Sequence, residues 1–144
     1  MKIKRIKLLN FGSITAADEQ MENNKKSLSG YFLYPSSISF IEKTDTLKGK
    51  VGLKFGIEYF IEGEDKTSKN DEAIFYCRIK HPELVNPASN EKASETIERK
   101  LNWLNTASFD YYSFEQEWEV QPGTWTFQIM EGDNLLLERF FEIK

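Results

Sequence analysis

The sequence predicts an all-β domain, an antiparallel β-sandwich of seven to eight strands. Three observations carry this expectation. Apolar and polar residues alternate over long stretches, most clearly at Val51, Leu53, Phe55, Ile57, Tyr59 and Ile61, and only a strand produces a period of two. Turn residues punctuate the alternation, as in Gln121-Pro122-Gly123-Thr124 and Glu131-Gly132-Asp133-Asn134, where Pro presets φ and Gly allows positive φ. Aromatics make up 14% of the 144 residues, with eleven Phe, six Tyr and three Trp. These side chains favour a pleated, half-buried surface.

The strands follow in order. Lys2 to Phe11 has mixed faces and is expected at a sheet edge, guarded against aggregation by Lys2, Lys4, Arg5 and Lys7. Ala16 to Ser29 is polar and is expected as a disordered loop. Ser37 to Lys43 is a short strand carrying Ile38, Phe40 and Ile41. Residues 51–80 read as an antiparallel hairpin. Its second strand sets Ala73, Phe75, Cys77 and Ile79 on one face, and the polar run from Gly63 to Asp71 links the two strands. His81-Pro82 is expected to end that strand, because Pro donates no ladder hydrogen bond, and Pro82 to Ser94 is expected as a loop.

Residues 95–104 fit two periods. Ala93, Ile97 and Leu101 have helical spacing, while Ile97, Leu101 and Trp103 share a strand parity. Strand is favoured because the neighbouring segments are strands that need partners. Phe114, Trp118 and Val120 then share one face, with Glu115, Glu117 and Glu119 opposite. With Trp125 to Ile129 and Leu135 to Ile143, they suggest a three-stranded meander. Seven or eight strands separated by turn signals make an immunoglobulin-like sandwich, one domain over 1–144.

Three blocks resemble a known family. They are Gly52-Leu53-Lys54-Phe55-Gly56-Ile57-Glu58-Tyr59-Phe60-Ile61-Glu62-Gly63, then His81-Pro82-Glu83-Leu84-Val85-Asn86-Pro87, then Glu117-Trp118-Glu119-Val120-Gln121-Pro122-Gly123-Thr124-Trp125-Thr126-Phe127-Gln128-Ile129. In this order they resemble the bacterial domain of unknown function 3859 over roughly residues 37–144. Thr46-Leu47 stands where the family pattern has Ile-Pro, which puts a loop geometry in doubt. The resemblance implies a sandwich-like fold and assigns no activity and no site residue.

The chemistry-bearing residues are few. A net charge of -4, from 19 basic and 23 acidic residues, argues against a nucleic-acid partner, which calls for a basic face. No segment approaches the roughly 20 apolar residues of a membrane helix. The basic start at Met1 lacks the apolar run of a signal peptide. With Cys77 as the single cysteine, no intramolecular disulfide forms, and the expectation is a cytoplasmic protein.

His81, the single histidine, would have to serve any nucleophilic triad. Its commoner role is to hydrogen-bond loop backbone. Cys77 sits on a core parity, where a thiol is inert. One His and one Cys build no zinc site, and Glu62, Glu64, Asp65 and Asp71 lack the spacing of a calcium loop. No metal and no cofactor are expected. The glutamate ladder has a spacing suited to paired carboxylates. An outward acidic face keeps all three ionised, so the ladder predicts a solvated surface.

The remaining lead is a set of aromatics on the outer parity. Phe60 and Tyr76 oppose the apolar faces of their strands, and Phe140 opposes Phe141. Either a second layer covers them or they form a patch for a partner. The sequence therefore points to a non-enzymatic binding or protein-interaction domain, with a protein partner or a homodimer. Phe60, Tyr76, Trp103, Tyr111 and Tyr112 are its candidate contact residues. Two alternatives remain: a carbohydrate-binding module stacking sugars on exposed aromatics, and a hydrolase using the glutamates.

Overall fold

The long alternating segments do become strands, and their partners are set by contacts distant in sequence. A computed structural model describes residues 2–64 and 71–144. Its strands are β1 (Ile3–Ala17), β2 (Gln20–Asn23), β3 (Tyr31–Tyr34), β4 (Ser37–Glu42), β5 (Thr46–Leu47), β6 (Lys54–Gly63), β7 (Glu72–Asn86), β8 (Glu91–Trp103), β9 (Thr106–Ser113), β10 (Gly123–Glu131) and β11 (Asn134–Ile143). These eleven strands exceed the seven or eight expected because β2, β3, β5 and the eight-residue β9, none of them foreseen from alternation, also pair. One sheet has the order β4-β1-β6-β9, the second β5-β11-β10-β7-β8, and β2-β3 form a separate ribbon. Pairing is antiparallel except between β5 and β11.

The two sheets meet through the alternating faces. Phe55, Ile57, Tyr59 and Ile61 of β6 are fully buried, as are Phe75 of β7 and Trp125, Phe127 and Ile129 of β10. Phe55 is the hub, with edge-on contacts to Phe114, Trp125, Phe127 and Phe141 at 5.3–5.9 Å between ring centroids. Such geometry sets the positive ring edge against the negative ring face. Gly56 permits a close approach, since a Cβ there would lie 2.1 Å from the Asp110 carbonyl oxygen of β9.

Several expectations are corrected. Residues 51–80 are not a hairpin: β6 and β7 lie in different sheets. Their apolar faces pack across the sandwich, with Tyr59 and Phe75 rings 6.4 Å apart. Alternation marks an apolar face but not the sheet to which it belongs. Residues 65–70 of the connecting loop lie outside the described residues.

Residues 114–120 are not a strand. Glu117–Glu119 form a 3-10 turn, which brings Phe114, Trp118 and Val120 onto the core by turning rather than by alternating. The meander reduces to the β10-β11 hairpin, and the other neighbour of β10 is β7.

Ala16 to Ser29 is ordered into the end of β1, β2 and a turn, and Pro82 to Ser94 belongs largely to β7 and β8. His81-Pro82 does not end β7. The ladder to β8 shifts between Lys80 and Leu84, and this bulge accommodates a residue without an N–H. Residues 95–104 are strand, as favoured, within β8. β1 lies between β4 and β6, but β4 pairs only with Ser13 to Ala17. The basic half of β1 thus keeps an open edge, where Lys4, Arg5 and Lys7 gather on Glu62. Thr46-Leu47 is the short parallel strand β5 rather than a loop.

Candidate functional site

β8 inverts the usual rule. Its apolar parity, Ile97, Leu101 and Trp103, is exposed, while Thr96, Glu98 and Lys100 of the opposite parity line a cavity. Inward charges on an edge strand discourage pairing with another chain. They also leave polar groups that cannot pack as hydrocarbon. The result is a cavity of about 180 Å³. Its walls are β9, the Cys77 and Ile79 positions of β7, and the middle of β8. The segment from Ser27 to Pro35, which includes β3, closes it, and Glu115 and Glu119 line one end.

The chain from Glu19 to Pro35, which carries the closing segment, is tethered at Glu19 and at Leu28. Glu19, just before β2, pairs with Lys54 of β6 and accepts the Tyr111 hydroxyl at 2.7 Å. Burial opposes its charge, but Lys54 and Tyr111 outweigh burial and hold its pKa below the usual value. At the start of the closing segment Asn86 Nδ2 donates to the Leu28 carbonyl at 3.0 Å.

One group of side chains is saturated. Asp110 receives Lys100 Nζ at 2.9 Å on one oxygen and the Tyr59 hydroxyl at 2.6 Å on the other. Lys100 also approaches Glu98 at 3.9 Å. Burial alone would disfavour the Lys100 charge, but Asp110 and Glu98 prevail and raise its pKa. Burial pushes the Glu98 carboxyl up, and Lys100 offsets part of that. Tyr34 bonds to Glu98, and its own pKa rises through burial and that carboxylate.

Glu119 differs. It is 2% exposed, and its Oε1 is buried without a hydrogen-bond partner. Burial raises its pKa to about 7; Tyr112 and the backbone at Glu115 offset part of this, and the Glu115 charge adds to it. Tyr112 and Tyr31 are both raised, by burial first and then by the Glu119 charge.

His81 is fully occupied. The Pro82 carbonyl can only accept, so Nδ1 at 2.8 Å must donate, leaving Nε2 to accept from the Thr96 hydroxyl at 3.2 Å. The ring stacks on Trp125 at 4.9 Å, and burial lowers its pKa. Cys77 is buried and its thiol is pushed up by burial. Among the described residues no three His, Cys, Asp or Glu side chains gather to hold a metal ion, and no helix is long and apolar enough to cross a membrane. Of the calcium-loop candidates, Asp65 lies outside the described residues, and Glu62 faces the β1 cations.

The five contact candidates do not converge. Phe60 lies on the outer face of the first sheet, opposite Lys7 and Ala107. Tyr76 and Trp103 lie on the outer face of the second, with Ile74 and Leu101 between them. Only Tyr111 and Tyr112 line the cavity. The glutamate ladder is dismantled: Glu117 is exposed, while Glu115 and Glu119 face the cavity. Sequence reasoning missed Tyr31, Tyr34, Glu98, Lys100 and Asp110. The available signal was the pair of opposite charges, Glu98 and Lys100, sharing a parity within a strand.

Comparisons agree with this architecture. No curated protein matches the chain. The crystal structure of an immunoglobulin-like protein from Pseudomonas aeruginosa is similar, with a TM-score of 0.63 and 21% identity over 96% of each chain. At that identity the likeness shows the immunoglobulin-like fold alone. The family model described as "Domain of unknown function (DUF3859)" matches residues 4–143, nearly the whole sequence, and the chain therefore belongs to that family.

Proposed function

We propose that the chain is a non-enzymatic binding domain that encloses a small ligand between β8 and β9, beneath the β2-β3 ribbon. The observation that carries this reading is the cavity itself, about 180 Å³ and lined by both aromatic and charged side chains. Apolar walls with a few convergent polar groups are the usual make-up of a ligand pocket. Hydrolysis by paired carboxylates needs two available carboxyl groups. Of the four carboxyl groups that line the cavity, Asp110 is occupied by Lys100 and Tyr59, Glu98 by Lys100 and Tyr34, and Glu115 by the Ser113 hydroxyl, which leaves Glu119 by itself. A fragment screen followed by NMR of the labelled protein tests the proposal. Binders should shift resonances at Tyr31, Tyr112 and Glu119. Fragments that bind elsewhere, or nowhere, would refute it.

A second reading, self-association, is favoured by the exposed row Ile74, Ile97, Leu101 and Trp103 on the second sheet. Glu95 and Arg99, both exposed, flank Ile97 on this face. A two-fold arrangement about Ile97 would set each Glu95 opposite Arg99 of the other copy, as a self-complementary dimer surface demands. Light scattering should then show a dimer that Arg99→Glu dissociates and Glu95→Arg with Arg99→Glu restores. A monomer at every concentration would rule it out.

A further inference from the structure

We propose that the cavity takes a small organic ammonium, an amine with an apolar body, and that Glu119 is its counter-charge. The proposal rests on the cavity reading above and names the ligand class for that site.

The first argument is what remains unused. Lys100 is committed to Asp110, and Lys54 to Glu19. Asp110 has both oxygens bonded. Glu115 Oε2 accepts the Ser113 hydroxyl at 2.5 Å. Glu119 Oε1 alone is buried in the lining without a partner. A buried polar atom left unmade costs about 1–3 kcal/mol, more when charged, and a ligand N–H would relieve that cost.

The second argument is the sign of the site. Glu98, Asp110, Glu115 and Glu119 line it, against Lys100 as the cation. An anionic ligand would meet net repulsion in a medium that screens poorly. A cation would be drawn in.

The third argument is the walls. Tyr31 and Tyr112 line the same cavity as Glu119, which puts aromatic wall beside its carboxylate. Aromatic faces attract cations through the ring quadrupole. The volume, about 180 Å³, is slightly larger than the roughly 150 Å³ cavity known to hold benzene. A single ring with an aminomethyl group is therefore the right scale.

Calorimetry on the full chain at pH 8 tests this with benzylamine, benzyl alcohol and benzoate. Benzylamine should bind at least tenfold more tightly than either analogue. Glu119→Gln should weaken benzylamine at least tenfold and leave benzyl alcohol unchanged, with circular dichroism confirming the fold. The comparison of the three probes on the wild-type chain holds even if the variant does not fold. Benzyl alcohol or benzoate binding as tightly as benzylamine would overturn the ammonium assignment and leave the cavity reading standing. So would an unaltered benzylamine affinity in Glu119→Gln. If no probe and no fragment enters the cavity, both readings fail.

Discussion

Replacing Lys100 by Met isolates the energetic cost of the buried ion pair. The Asp110 side chain is 5% exposed and that of Lys100 18%, with 2.9 Å between the charged atoms. At an effective dielectric of about 20 the pair attracts by roughly 6 kcal/mol. Desolvation of both groups consumes most of that, so the pair's net contribution is small. Removing one partner is different, because it strands Asp110 and leaves Glu98 without its nearby cation. Breaking a buried pair costs about 3–5 kcal/mol. The partly exposed ammonium places Lys100→Met near the lower end, about 3 kcal/mol. For a chain of this size that lowers the melting temperature by roughly 6–12 °C.

Adding Asp110→Asn removes the stranded charge and keeps an acceptor for the Tyr59 hydroxyl, which reaches Asp110 at 2.6 Å. The double variant should therefore recover much of the loss. Guanidinium unfolding of the wild type, both singles and the double gives the coupling energy directly. A Lys100→Met cost below about 1 kcal/mol, or simple additivity of the two singles, would refute the buried-pair argument.

Three further outcomes follow from named contacts. The Glu119 carboxyl rises from 4.5 unfolded to about 7 folded, so the folded state binds more protons in that window. Stability should then fall as pH rises from about 4.5 to 7, by up to about 3 kcal/mol, with half-buried Glu98 acting in the same direction. Glu119→Gln should remove the first share only. In pH-resolved denaturant titrations its advantage over the wild type should grow with pH and level off above about 7. Gly56→Ala places a Cβ 2.1 Å from the Asp110 carbonyl oxygen and 2.6 Å from Tyr111 Cα, so β6 and β9 must part. A loss of about 1–3 kcal/mol in thermal or chemical unfolding is expected. Tyr111→Phe removes a hydroxyl donated to Glu19 at 2.7 Å. Amide exchange across residues 20–34 should quicken by about tenfold while the β6 and β10 cores keep their protection.

Much of the sandwich was legible because strand parity is local. Phe55, Ile57, Tyr59 and Ile61 share a face, as do Trp125, Phe127 and Ile129, and both sets are fully buried. The turn at Glu131 to Asn134 was equally clear, since Gly132 adopts a positive φ of 58°. The backbone hydrogen bond of His81 was also readable, although the ring was expected on a loop and lies within β7. The candidate site was legible only in fragments. Tyr111 and Tyr112 were singled out as contact residues and Glu119 as part of a ladder, with nothing to join them.

What the sequence alone determined is thus an all-β chain, the buried faces of β6, β7 and β10, and the family. What only the tertiary structure decided is which strands share a sheet, where the inverted strand β8 points, and that Glu119 turns inward on a 3-10 turn. The physical reason is that backbone ladders form between any two extended segments and carry no side-chain code. Partner choice is made by the summed burial of distant faces. β6 and β7 look like one hairpin until the Tyr59–Phe75 contact across the sandwich sets them in opposite sheets. Glu98 and Lys100 look like solvated charges until Asp110 arrives from β9 to receive the ammonium.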